Sequence, residues 1–373
     1  MSKSVSLYVH VPYCRRKCLY CDFASYVGRE DTVSSYLSRL LLELEQYKND
    51  DIIIKTIFFG GGTPSQIDAD FVGNVLSFVR ENFAVANDVE ITVECNPCSA
   101  DIKKLASYKS FGVNRISIGV QSFDDNELSL IGRLHNSDTA VECVKNARCV
   151  GFDNISVDLM QGIPEQTLES LVRSIGKAVE LGVEHISLYS LILEEGTPLT
   201  KKVENGELLV ADEDTDRKMY HVACQILENS SYHQYEVSNF AKDQRQSKHN
   251  IAYWLRQDYI GVGCAAHSFY EGQRYSNPQT LEEYLSGDIG KSSTQREILS
   301  YTDALEEIVM LGLRMNKGMD LTLFDDETLR KITPKLESLV NLGLCERNGS
   351  YFCATSRGRD VLDSIIVDII SVF

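Results

Sequence analysis

Six short β-rich runs, each followed by a helix-like stretch, constrain this chain more than any other feature. They are SLYVHVP (from Ser6), IKTIFFGGGTP (from Ile54), EITVECNP (from Glu90), NRISIGVQSF (from Asn114), NISVDLMQGIP (from Asn154) and HISLYSLIL (from His185). The segments between them are amphipathic. In the first, Val33, Tyr36, Leu37, Leu40, Leu41, Leu44 and Tyr47 follow the i, i+3, i+4 spacing of one buried helix face. Near-continuous apolar strands alternating with helices predict an α/β fold, a parallel sheet covered by helices. Six such units predict a barrel or an open partial barrel.

Each run ends in something chemically unusual: a cysteine cluster, Gly60-Gly61-Gly62-Thr63-Pro64, Glu94 with Asn96-Pro97, Gln121, or Asp158. Parallel α/β architectures carry their sites at the carboxyl ends of the strands, so several strand ends are expected to converge on one rim.

The cysteine cluster is HVPYCRRKCLYCDF, in which Cys14, Cys18 and Cys21 have the spacing C-x3-C-x2-C and no fourth cysteine follows. Two readings fit three thiolates. A closed structural zinc site needs a fourth ligand, from His10, Asp22, Cys95 or Cys98. A [4Fe–4S] cluster on three thiolates keeps one iron free for another ligand. Spacing alone leaves both open. Cys95 and Cys98 form a further C-x2-C, read as two ordinary rim thiols. Cys143, Cys149, Cys224, Cys345 and Cys353 read as core residues.

Composition narrows the setting. Eleven cysteines, an odd number, without a secretion-type leader point to a reducing cytoplasm and to ligands rather than disulfides. No apolar stretch reaches the length of a membrane span, so no transmembrane segment is expected. The net charge of −17 is spread along the chain, with no basic stripe, and nucleic acid is excluded as the main partner.

The cysteine spacing after a first strand, with Tyr20 just before the last cysteine, resembles the radical SAM superfamily. YVHVPYC…CLYCDF, GGGTPS, NRISIGVQSF, IGRLH, DLMQGIPEQT and HISLYSLILEEGTPL, in this order, resemble the anaerobic coproporphyrinogen III oxidase family. Within it they resemble most the HemW-type heme chaperone branch. The resemblance implies a partial (β/α)6 radical SAM barrel at residues 1–240, a connecting segment at 241–300, and a mostly helical, winged-helix-like domain at 301–373. It implies a [4Fe–4S] cluster on Cys14, Cys18 and Cys21, with S-adenosylmethionine on the open iron. Tyr8, Tyr20, Gly61, Gly62, Thr63, Glu94, Gln121, Arg133, Asp158 and Ile192 are then the residues of the S-adenosylmethionine site, some serving a second nucleotide. Glu94 suits the ammonium of the methionine moiety and Arg133 its carboxylate, which a guanidinium holds bidentately. Asp158, flanked by Val157 and Leu159, needs a ribose hydroxyl or a cation to satisfy it.

Two features bear on activity within that family. Oxidases usually carry a further cysteine one residue after the third, where this chain has Asp22-Phe23. HNIAYW, residues 249–254, matches the HN-x-x-YW signature associated with heme binding in the HemW-type branch. His249 is the implied iron ligand, with Tyr253 and Trp254 stacking on a porphyrin. The resemblance therefore implies a heme carrier that passes heme to acceptor proteins, membrane-associated ones included, and takes electrons from a donor. The alternative is oxygen-independent coproporphyrinogen III oxidation; a radical SAM methyltransferase or heme-degrading enzyme ranks third. At the C-terminal end, ERNGSYF places an Asn-Gly turn between two short strands. KDQRQSKHN reads as an exposed loop.

Overall fold

The computed structural model describes residues 3–48, 50–288 and 296–373. The six runs form β1 (Lys3–Val11), β2 (Ile52–Gly61), β3 (Ala84–Cys95), β4 (Arg115–Gln121), β5 (Ile155–Gln161) and β6 (His185–Ser190). They pair in parallel and in sequence order, with Val11 opposite Gly61, Glu94 opposite Ser117, and Asp158 opposite both Gly119 and Ser187. The sheet does not close. Its β6 edge continues antiparallel into β8 (Asn239–Ala241) and β7 (His233–Glu236). Its β1 edge continues into β9 (Tyr259–Val262), β10 (His267–Tyr270), β11 (Gln273–Ser276) and β12 (Arg296–Ile298). The described residues of 241–300 thus add strands to the main sheet.

The strands are less uniformly apolar than they read. Val9, Ile57, Phe59, Val93, Ile116, Val157 and Ile186 belong to the buried core under the helices. The alternate positions hold Ser6, Tyr8 and His10, then Thr92 and Glu94, Arg115 and Ser117, Ser156 and Asp158, His185 and Ser187. Because side chains of a strand alternate between faces, one face of the sheet is an apolar floor for helices and the other a polar concave wall. α1 (Val33–Glu45) buries Tyr36, Leu40 and Leu44 as its spacing predicts, and with them Glu43.

The C-terminal region has its own core, in which Leu305, Val309 and Leu313 of the helix Tyr301–Arg314 meet Ile332, Leu336, Phe352 and Ile365. Its hairpin pairs Cys345–Asn348 with Tyr351–Ala354, Asn348 lying opposite Tyr351. The turn is therefore Gly349-Ser350, one residue later than the Asn-Gly reading places it. Gly349 has φ 64°, a conformation that suits glycine at the first position of a two-residue hairpin loop. Cys149 is exposed and Cys224 half-buried, unlike the core positions expected of them. Among the described residues no helix is long and apolar enough to cross a membrane.

Candidate functional site

The loop after β1 carries the three clustered cysteines at the carboxyl rim. Its path is fixed by backbone bonds: Cys14 N–H to Tyr26 O (2.9 Å), Tyr26 N–H to Pro12 O (2.7 Å) and Leu19 N–H to Ile131 O (3.1 Å). Leu19 lies on Gly132, whose φ is 77° and where a Cβ would come within 2.9 Å of Leu19 Cγ. A small apolar cluster of Ile131, Met160, Ile163, Leu199 and Leu208 receives Leu19 and Tyr20, so loops after three strands hold the cysteine loop down.

All eleven cysteines are free. Burial pushes the thiols of Cys14 and Cys21 up. Thr63 Oγ1 lies 3.4 Å from Cys14 Sγ, and Arg133 Nη1 donates to Cys18 Sγ at 3.5 Å. Arg133 also donates to Gly119 O, lies beside Tyr20, and leaves its buried Nε without a partner. Among the described residues no three His, Cys, Asp or Glu side chains are gathered tightly enough for a single metal ion. Three thiols on one loop, with a buried guanidinium against the middle one, match the donor set of an anionic iron–sulfur cluster.

The polar wall beside them is acidic. Glu94 accepts Gly61 N–H at 3.2 Å, and Ser117 Oγ donates to Asp158 at 3.2 Å. Burial, reinforced by the negative charge of Asp158, pushes Glu94 up to about 8. Burial also raises Asp158, against bonds from Ser187 and Ser117 and the charges of Arg115 and Arg133. A wall whose buried carboxyls are raised despite the charges of Arg115 and Arg133 suits a cationic guest, and the ammonium and sulfonium of S-adenosylmethionine supply two positive centres. At the rim, Gly61 has φ 105° and a Cβ there would lie 2.3 Å from the His10 ring. His10 bonds Tyr8 OH (3.1 Å) and Ala24 O (2.9 Å), joining the wall to the cysteine loop. Gly62 N–H and Thr63 N–H bond Val11 O and Tyr13 O at 2.9 and 2.8 Å. Gln121 sits at the end of β4 with φ 70°, a strained conformation for a side-chain-bearing residue. Ile192, in the loop after β6, is 68% exposed and makes no part of the wall.

The HN-x-x-YW stretch forms a short helix, Lys248–Trp254, so the polar loop before it ends sooner than expected. Ser247 Oγ caps it at Asn250 N–H (3.3 Å), while Glu90 accepts Lys248 N–H and His249 N–H at 3.1 Å each. This seats the helix against the concave side of β2 and β3. His249 is 1% exposed; Nδ1 bonds Thr56 Oγ1 (2.7 Å), Nε2 bonds Tyr253 OH (2.8 Å), and the ring stacks on Phe58 at 5.0 Å. Burial, with the charge of Arg115, holds it down to about 3. The imidazole implied as an iron ligand is therefore a neutral ring with both nitrogens engaged.

Above that helix lies a cavity of about 510 Å³. Phe23 from the cysteine loop, Tyr253, Trp254, Tyr259 and Phe269 give it aromatic walls, with His267 at its edge. Arg256 and Arg274, also lining it, stand 4.5 and 5.1 Å from the Phe269 ring and share Glu307, each at 2.6 Å. Arg115, Glu90, Phe269 and this arginine pair were not singled out by sequence reasoning. The alternation of polar residues along the strands marks Arg115 and Glu90; nothing local marks the others, which meet only through the folding of β9–β11 onto β1.

Comparison with known proteins agrees with this fold. Residues 8–178 match the radical SAM superfamily model and residues 299–361 the HemN C-terminal domain model. The chain is 35% identical to the heme chaperone HemW of Bacillus subtilis, over 95% of this chain and 96% of that one. It is 39% identical to the mitochondrial radical S-adenosyl methionine domain-containing protein 1 of Danio rerio, over 98% and 86%. The fold matches the Escherichia coli coproporphyrinogen III oxidase HemN, a radical SAM enzyme, with a TM-score of 0.86 at 22% identity, over 100% of this chain and 91% of that one. The chain belongs to the radical SAM superfamily and, within its coproporphyrinogen III oxidase-like family, to the HemW-type branch.

Proposed function

We propose that this protein is a heme chaperone: it binds heme, a [4Fe–4S] cluster and S-adenosylmethionine, and passes heme to acceptor proteins. The observation that carries the reading is the aromatic cavity against the cysteine loop, with Phe23 exposed in it beside Asp22. The oxidases usually place a cysteine there, and here the same position contributes apolar surface for a flat ligand. Near full-length relatives in several bacteria named heme chaperones support the same conclusion.

In this reading Cys14, Cys18 and Cys21 hold the cluster and Arg133 balances its charge. Glu94, Gly61, Gly62 and Thr63 receive the methionine moiety, Asp158 and Gln121 the ribose side, with Tyr8, Tyr20 and Ile192 closing the periphery. When bound, such a cluster supplies one-electron reduction to a coordinated S-adenosylmethionine. The chain's own part is positioning: Arg133 orients Cys18, His10 couples the cysteine loop to Tyr8, and Glu90 fixes the helix carrying Tyr253 and Trp254. An electron donor, heme acceptors and a cytoplasmic setting belong to the proposal.

Anaerobically reconstituted protein given ferric heme is expected to take it up stoichiometrically. Given coproporphyrinogen III, S-adenosylmethionine and a reductant, it is expected to leave the substrate unchanged. Formation of protoporphyrinogen IX in that assay would overturn the chaperone reading in favour of the oxidase.

A further inference from the structure

We propose that His267, not His249, supplies the iron ligand for heme seated in the cavity, an assignment that rests on the chaperone reading. The contrast between the two histidines carries it. His249 lies buried with Thr56 on one ring nitrogen and Tyr253 on the other. Binding iron there requires breaking one of those bonds inside a packed helix. His267 is exposed at the start of β10, on the cavity wall, and its ring has no hydrogen-bond or ion-pair partner among the described residues. A free imidazole nitrogen is what an iron ligand needs.

The backbone holds this ring in place. Ser268 Oγ accepts Gly261 N–H at 2.9 Å and donates to Gly261 O at 3.3 Å. Asn277 N–H reaches Ala266 O at 2.9 Å, and Asn277 is itself held by the buried Glu43, 2.6 Å from its Nδ2. His267 therefore projects from a braced strand, the condition for a preorganised ligand.

The surroundings fit the rest of a heme. Phe23, Tyr253, Trp254 and Phe269 supply apolar and aromatic surface for the macrocycle. Trp254 presents its ring to the cavity, with its Nε1 buried and without a hydrogen-bond partner among the described residues. Arg256 and Arg274 share one carboxylate, that of Glu307, with Asp258 near Arg256 and Asp22 elsewhere on the cavity wall. The two guanidiniums on the wall are the groups that a propionate would pair with. The cavity volume lies within the usual range of small-molecule sites.

The test titrates ferric heme into full-length, anaerobically reconstituted wild type, His267→Ala, His249→Gln and the surface control His233→Ala. Ligation is followed by difference absorbance and by EPR of the ferric iron, and folding by circular dichroism. His267→Ala is expected to lose the histidine-ligated spectrum and to bind about tenfold or more weakly, with the spectrum restored by added imidazole. His249→Gln, if folded, is expected to keep the histidine-ligated spectrum. Unchanged spectrum and affinity in His267→Ala, with wild type binding normally, would overturn the ligand assignment alone. No heme uptake by wild type would overturn the chaperone reading and this assignment with it.

Discussion

Glu94 brings a carboxyl to the concave wall with one backbone donor, Gly61 N–H at 3.2 Å, and no ion-pair partner among the described residues, only the more distant charge of Arg115. Its folded-state value, about 8, lies above the ordinary 4.5, so the folded protein binds a proton there that the unfolded chain has released. That proton stabilises the fold at low pH, and the contribution is lost as pH rises from 4.5 through about 8. Glu94→Gln keeps the shape and removes the charge. Cluster-free Glu94→Gln is expected to match wild type in Tm at pH 5 and to exceed it by several degrees at pH 8.5; equal melting curves at both values would contradict this account. The same residue illustrates what was readable beforehand. A glutamate at a strand end beside three glycines marks a site, but only the fold reveals that Asp158, two strands away on the same wall, adds its negative charge to the burial of Glu94.

At the scale of elements, α1 shows how periodicity places a helix and hides a polar anchor. Counting apolar residues at i, i+3 and i+4 recovers Tyr36, Leu40 and Leu44, while Glu43 falls on the same face and passes as a surface charge. In the fold it is fully buried, accepting Gly263 N–H (2.9 Å), Asn277 Nδ2–H (2.6 Å) and Tyr284 O–H (2.7 Å). Burial pushes it up to about 7 despite those three donors. Glu43→Ala strands Gly263 N–H and Tyr284 O–H and leaves Asn277 Nδ2 with Gly263 O alone, and a loss of about 2–4 kcal/mol in chemical denaturation is expected, against a smaller loss for Glu43→Gln. Because Glu43 braces the strands leading to His267, Glu43→Ala is also expected to weaken heme uptake. The helix Lys248–Trp254 was equally hidden: its motif was legible, but seven residues carry too little periodicity to separate a ligand from a buried, doubly bonded ring.

Across the whole molecule, the C-terminal unit is tied to the barrel through Arg314. Its guanidinium stands 4.4 Å from the Trp254 ring and 3.4 Å from the fully buried Glu236, next to the edge of the sheet. Val237 N–H bonds Arg314 O at 3.1 Å, and Arg217 pairs with Asp360 at 2.8 Å on the same seam. Arg314→Met leaves Glu236 buried with only Ser238 N–H and Asn239 Nδ2–H to satisfy it. A cost of about 2 kcal/mol is expected, largely recovered in the double variant Glu236→Gln/Arg314→Met, as a denaturation cycle would measure. Absence of coupling between the two substitutions would show that the seam is held by packing alone.

The order and type of the six βα units, the rim on which their ends meet, the three-cysteine loop and the family are all legible in the residues. Each is written in local terms: alternation, spacing, glycines and caps act between residues a few positions apart. That Glu43 and His249 are buried, that Glu94 and Asp158 share one wall, and that Phe23, Trp254, His267, Arg256 and Arg274 line one cavity emerges with the fold alone. Those facts depend on strands far apart in the chain pairing at both edges of an open sheet. Burial and field at a side chain come from those neighbours, which no window along the sequence contains.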